Sequence, residues 1–126
     1  MNKRILVVED DLEHQTLYGD ILKDAGFIVE VAGDGVTGEK KIREGDFDGV
    51  FLDIILPNVD GMTILKNLEH YPPKGGVPPI ILLTNLGDEH VAREGLLHGA
   101  SRFLMKAKVE PHDIVREARA VLTKKE

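Results

Sequence analysis

The stretch Asp48-Gly49-Val50-Phe51-Leu52-Asp53-Ile54-Ile55-Leu56-Pro57 decides the fold. Its first half is too short for a helix and too apolar for a loop. It reads as a strand buried on both faces, which is the pattern of a parallel sheet. Asp53 then stands at the carboxyl end of that strand, and the chain breaks at Pro57. In an open α/β sheet ligands bind in the crevice beyond the carboxyl ends of the strands, so this one carboxylate marks where chemistry belongs.

Working outward, Arg4 to Val8 is another doubly apolar strand, and it too ends in acid, Glu9-Asp10-Asp11. From Leu12 to Ala25 the residues Leu17, Ile21, Leu22 and Ala25 fall on one helical face, and Gly26 supplies a stop. Phe27 to Val31 is a strand with a charge, Glu30, inside it, as suits an edge. Gly33-Asp34-Gly35 turns into a second helix, Val36 to Glu44, closed by Gly45. Beyond Pro57 a third helix carries Met62, Leu65 and Leu68. The run from Tyr71 to Pro79 holds four prolines and two glycines and can only be a connection. Ile80 to Leu83 is a buried strand ending in Thr84-Asn85, and a helix from about Asp88 to Leu97 follows. Gly95 inside that helix costs about 1 kcal/mol relative to alanine. Phe103 to Met105 is the last strand, ending in Lys106, and Pro111 opens a final helix with Ile114, Ala118 and Val121 inward and Val115 and Leu122 on the flank. Lys124-Lys125 reads as its frayed end. Strands alternating with helices in this way predict an α/β three-layer sandwich with right-handed crossovers.

Bulk composition narrows the function. The 126 residues suit one domain spanning 1–126, and no apolar run approaches the ~20 residues of a membrane-crossing helix. Met1-Asn2-Lys3-Arg4 followed by a short apolar run is no signal peptide, and a chain without cysteine has neither disulfides nor thiol chemistry, so a cytoplasmic home is expected. A formal net charge of -6 argues against a nucleic-acid surface, so any effect on DNA would run through a partner. His14, His70, His90, His98 and His112 lack metal-ligand spacing and are expected at the surface.

Four strands finish in polar residues: Glu9 and Asp10, Asp53, Thr84, and Lys106. Parallel strands bring those ends to one edge. Carboxylates gathered at short range raise each other's proton affinity and become tolerable with a cation among them. Oxygen donors alone suit a hard ion such as Mg2+, which binds alongside phosphate.

The set Val8-Glu9-Asp10, Asp53 with Leu56-Pro57 and Gly61 behind it, Thr84, and Gly99-Ala100 leading to Lys106 resembles the receiver domain of two-component response regulators, of the single-domain chemotaxis-regulator kind. The resemblance covers nearly the whole chain. It implies a flavodoxin-like fold with a five-stranded parallel sheet in the order 2-1-3-4-5. It implies that Asp53 is the phosphoryl acceptor, that Asp10 and the backbone carbonyl of Ile55 ligate Mg2+ directly, with Mn2+ a possible substitute, and that Glu9 acts through water. Thr84 is similar to the switch hydroxyl, Lys106 to the phosphate-contacting lysine and Phe103 to the aromatic switch position. The implied partners are a histidine kinase or a histidine phosphotransfer protein in a phosphorelay, and a downstream protein that docks on the face of the fourth helix, fifth strand and fifth helix. The implied state is a monomer or a weak dimer formed on phosphorylation, and the domain assists only its own phosphotransfer and dephosphorylation.

Three residues depart from the family pattern. Ala107 follows Lys106 where a cis proline is usual. A cis bond before any other residue costs roughly 3 kcal/mol, which leaves a strained cis peptide or a trans one with Lys106 approaching differently. Asn85 stands where a small residue is usual, crowding the site or hydrogen-bonding a phosphoryl group. Ile55 is apolar where a polar side chain would place an attacking water, so slow autodephosphorylation is expected. A Mg2+-dependent aspartyl-phosphate hydrolase is a weaker reading, because such enzymes place an acid two residues after the nucleophile and this chain has Ile55 there. A flavin-binding module would need a phosphate loop where Glu9-Asp10-Asp11 would repel phosphate. A receiver-like binding domain that has lost phosphorylation is kept open by Ala107 and Asn85.

Overall fold

The computed structural model describes residues 2–85 and 87–123, so Lys124 and Lys125 lie outside it. Five strands alternate with five helices: β1 (Arg4–Val8), α1 (Leu12–Asp24), β2 (Ile28–Ala32), α2 (Gly35–Glu44), β3 (Gly49–Asp53), α3 (Gly61–His70), β4 (Ile80–Thr84), α4 (Glu89–Leu97), β5 (Arg102–Met105) and α5 (Pro111–Thr123). The strands form one parallel sheet in the order β2-β1-β3-β4-β5, the flavodoxin-like arrangement expected from the resemblance.

Alternation along the strands builds two separate cores. Leu6, Val8, Val50, Leu52, Ile80 and Leu82 face α2, α3 and α4 through Ile42, Ile64, Leu65, Leu68 and Ala92. Their neighbours Ile5, Val7, Phe51, Ile81 and Leu83 face α1 and α5 through Tyr18, Leu22, Ile114, Ala118 and Val121. Burying the sheet on both faces explains why these strands are continuously apolar rather than alternating. β2 and β5 are the two edge strands; β2 is the more open, with Ile28 and Val31 exposed.

The reading of α1 needs correction. Leu17 is 49% exposed, and Tyr18 at 1% takes the inward position with Leu22, four residues on. Leu22 is inward as expected and Ile21 packs beside it, so the correction is confined to the exchange of Leu17 for its neighbour Tyr18, which joins the core of Ile5, Val7, Ile114 and Ala118. Ile64, absent from the expected α3 face, is fully buried. Gly95 has a packing reason that offsets its poor helix propensity: a Cβ there would lie 2.3 Å from Leu82 Cδ1. None of the described helices is long and apolar enough to cross a membrane.

Candidate functional site

β1 and β3 are adjacent in the sheet, and their register pairs Val8 with Leu52, so the next residues, Glu9 and Asp53, arrive side by side. β4 pairs Leu83 with Asp53 and β5 pairs Met105 with Thr84, which brings Thr84 and Lys106 to the same edge. Glu9, Asp53 and Thr84 are all buried, and one carboxylate oxygen from each of Glu9, Asp10 and Asp53 falls within 4.8 Å of the others. These are hard oxygen donors with no sulfur among them, and the set fits a hard divalent cation.

Lys106 Nζ lies between two of the acids, 2.6 Å from Asp53 Oδ2 and 2.7 Å from Glu9 Oε1. Asp53 Oδ1 accepts a hydrogen bond from the backbone N–H of Ile55 at 3.2 Å. Burial pushes the Asp53 carboxyl up to about 6. The Lys106 hydrogen bond opposes that shift and the charge of Glu9 reinforces it. Burial alone would lower the Lys106 ammonium, but its hydrogen bonds to Asp53 and Glu9 prevail and hold it above the usual lysine value. Near neutral pH the site is thus a carboxylate pair neutralised in part by one ammonium.

The backbone around Asp53 is fixed by close approach. Gly61 N donates to the Ile54 carbonyl at 2.8 Å, and a Cβ on Gly61 would stand 2.4 Å from the Asp53 carbonyl oxygen. Asp60 caps α3 through Thr63 N, which anchors the loop on its far side. Glu9 is held from two directions: its Oε2 accepts from Asp11 N at 3.0 Å and its carbonyl accepts from Gln15 Nε2 at 2.6 Å. Thr84 Oγ1 donates to the Asn85 carbonyl at 3.3 Å.

The structure brings Glu9, Asp10, Asp53, Thr84 and Lys106 to this edge, whereas Phe103 lies further back along β5. Phe103 pairs with Leu82 across β4 and β5 and is partly buried against the α2–α4 core. Ile55 is 57% exposed and Asn85 is exposed, so both flank the opening. There is no cis peptide among the described residues, so the bond from Lys106 to Ala107 is trans and Lys106 still reaches both acids.

Sequence reasoning missed the floor of the site. His14, expected at the surface, is half-buried and stacks on Tyr18 with ring centroids 5.6 Å apart. Its Nδ1 is 3.1 Å from Asp11 Oδ2 and 4.0 Å from Glu9 Oε1. The signal was the i, i+4 spacing of His14 and Tyr18, counted from the acidic run on the helix it caps. His98 is likewise half-buried, with Nδ1 2.8 Å from Glu69 Oε1, whereas His70, His90 and His112 are exposed as expected.

A sequence model of the response regulator receiver domain matches residues 5–119. The probable transcriptional regulatory protein SilR of Salmonella typhimurium is 38% identical over 103 residues, covering 82% of this chain and 44% of that protein. The DNA-binding response regulator MtrA of Mycobacterium tuberculosis is 35% identical over 122 residues, covering 97% of this chain and 51% of that protein. This chain therefore spans about half the length of these relatives. Among solved structures, the CheY-like receiver domain protein from Methanospirillum hungatei JF-1 superposes with a TM-score of 0.87 at 29% identity, covering 98% of this chain and 96% of that one. The chemotaxis response regulator CheY4 of Vibrio cholerae gives 0.85 at 26% identity, covering 97% and 100%.

Proposed function

Because this chain belongs to the response regulator receiver family, we propose that residues 1–126 form a receiver domain that takes a phosphoryl group onto Asp53 from a histidine kinase or a histidine phosphotransfer protein and relays the change to a partner protein. The observation that carries this reading is the meeting of a buried, Lys106-paired Asp53 with Glu9, Asp10 and Thr84 at one sheet edge.

In the transfer, an Asp53 carboxylate oxygen forms a bond to phosphorus as the bond from phosphorus to the donor's imidazole nitrogen breaks, and that nitrogen leaves with the electron pair. The protein's part is positioning and charge. Asp10, Asp53 and the backbone carbonyl of Ile55 would hold Mg2+ directly and Glu9 through water, with Mn2+ able to replace it. The ion supplies charge neutralisation for the phosphoryl oxygens. Lys106 moves its ammonium from Asp53 Oδ2 to a phosphoryl oxygen, a short displacement given the present 2.6 Å contact. Thr84 rotates its hydroxyl from the Asn85 carbonyl towards the new charge. Phe103, which lacks a hydroxyl, follows by packing alone into the space Thr84 leaves.

The changed face is that of α4, β5 and α5, where the downstream partner docks. The domain is a monomer or a weak phosphorylation-dependent dimer and makes no direct contact with nucleic acid or membrane. DNA binding is a property named for relatives such as MtrA, which extend beyond the matched region. The place of action is the cytoplasm, the compartment typical of the family. Ile55, exposed and apolar, cannot orient an attacking water, so the phosphorylated form is long-lived.

Intact mass after incubation with acetyl phosphate tests the reading. One added phosphoryl mass is expected, requiring both Mg2+ and Asp53. No adduct on the folded protein would leave a receiver-like binding domain.

A further inference from the structure

We propose that Gln15 is a positioning residue for the acidic site: its side-chain amide clamps the Glu9 carbonyl and thereby sets where the Asp10 carboxylate stands. This rests on the reading of the site as a cation site that serves phosphorylation of Asp53, and it assigns a task to a residue outside the acids, the threonine and the lysine.

Of the three acids, Asp10 is the one whose side chain nothing else fixes. Glu9 and Asp53 are buried, and Lys106 Nζ reaches both, at 2.7 and 2.6 Å. Asp10 is exposed, and its carboxylate takes no hydrogen bond or ion pair from any described residue. Its place within 4.8 Å of the other two is therefore set by the backbone that carries it.

That backbone is gripped on both sides of Glu9. The Glu9 N–H continues the sheet, donating to the Ala32 carbonyl at 3.0 Å. The Glu9 carbonyl belongs to the peptide that leads into Asp10, and its donor is Gln15 Nε2, 2.6 Å away in a part-buried bond. A carbonyl oxygen only accepts, so the nitrogen of the amide is the atom that faces it.

The local structure delivers this side chain. Asp11 caps α1 through His14 N, and Gln15 follows in the first turn with its own N–H bonded to the Asp11 carbonyl at 2.9 Å. Side chains on a helix lean back towards its N-terminus, so a long side chain here reaches over the cap to the Glu9 peptide. The turn after β2 walls it from the other side, where a Cβ on Gly33 would stand 3.5 Å from Gln15 Nε2. The clamp is in place before any ion arrives, which spares the Glu9–Asp10 peptide an ordering cost on binding.

The test is Gln15→Met, which keeps the length of the side chain and the helix propensity while removing the donor. Mg2+ binding is measured by isothermal titration calorimetry, and phosphorylation by acetyl phosphate is followed over a range of Mg2+ concentrations. Leu17→Ala, a half-exposed position on the same helix, is the control for general loosening of α1. Mg2+ affinity should be about tenfold weaker in Gln15→Met, the lower end of the losses on removing a supporting group at a metal site, and within twofold of wild type in Leu17→Ala. The Mg2+ concentration giving half the maximal phosphorylation rate should rise by the same factor, with the rate at saturating Mg2+ within twofold of wild type. Affinity within twofold of wild type in Gln15→Met, or an equal loss in Leu17→Ala, overturns the role of Gln15 and leaves the receiver reading intact. The expected loss of affinity in a protein whose wild type binds Mg2+ but gains no phosphoryl group upholds the clamp and overturns the receiver reading. Absence of Mg2+ binding in the wild type overturns both.

Discussion

Asp53→Asn should stabilise the metal-free protein at neutral pH. Asp53 is 2% exposed, and burial, opposed by Lys106 and reinforced by Glu9, lifts its carboxyl from an ordinary 3.8 to about 6. Two units of difference between the folded and unfolded chain correspond to about 3 kcal/mol. The sign follows from proton binding: between about pH 4 and 6 the folded protein holds this proton and the unfolded chain does not. The advantage is therefore full below about 4 and is lost as pH rises through 6, above which the charged group costs its full amount. Asparagine keeps the shape without the charge, and Lys106 retains Glu9 at 2.7 Å. Allowing for the lost ion pair with Lys106, the net gain at pH 8 should be about 1 to 3 kcal/mol, shrinking towards zero near pH 4.5. Urea unfolding of both proteins in EDTA at the two pH values measures it, the difference between the proteins isolating Asp53 from other carboxylates. Added Mg2+ should narrow the gap, since the wild type alone offers the full carboxylate set. A variant no more stable than wild type at pH 8, or a gain that does not change with pH, would refute the electrostatic account of the site.

Removing the opposite charge should do the reverse. Lys106→Ala leaves Glu9 and Asp53 buried without their ammonium and should cost about 3 kcal/mol in EDTA at pH 8, read from the same urea curves, with part of the loss recovered in Mg2+. Gly35→Ala would place a Cβ 1.6 Å from the Val59 carbonyl oxygen. Because backbone must move, a loss of about 3 kcal/mol or failure to fold is expected in thermal melts. For the exposed Ile55, replacement by asparagine should shorten the lifetime of phospho-Asp53 at least severalfold, followed as loss of the phosphoryl mass with time. A wild-type lifetime of seconds would sink the idea that Ile55 slows hydrolysis.

The sheet and its polar edge were legible because they follow from pattern alone. Runs such as Val50-Phe51-Leu52 and Ile80-Ile81-Leu82-Leu83 admit only doubly buried strands, and parallel pairing then carries Glu9, Asp53, Thr84 and Lys106 to one side. What the sequence hid were rotations and rotamers. Whether Leu17 or Tyr18 faces inward is a choice between neighbours that the apolar spacing of α1 does not resolve, since Leu17, Tyr18, Ile21 and Leu22 satisfy either choice. His14 depends on that same choice: with Tyr18 inward, the residue one turn earlier is carried beside Asp11. Gly95 looked like a weak point in a helix and proved to be a contact with Leu82, which only the packed structure reveals. The Lys106–Ala107 peptide was open to two readings in sequence and is trans.

The claim that Asp53 forms an acyl phosphate is tested most directly by borohydride reduction of the acetyl phosphate-treated protein, followed by peptide mass mapping. Reduction of an aspartyl phosphate converts the aspartate to homoserine, so residue 53 should appear as homoserine, in treated samples with Mg2+ and not in samples with EDTA. Homoserine at Asp10 or Asp60 instead, or none at residue 53 in protein that carries the added phosphoryl mass, would contradict the account.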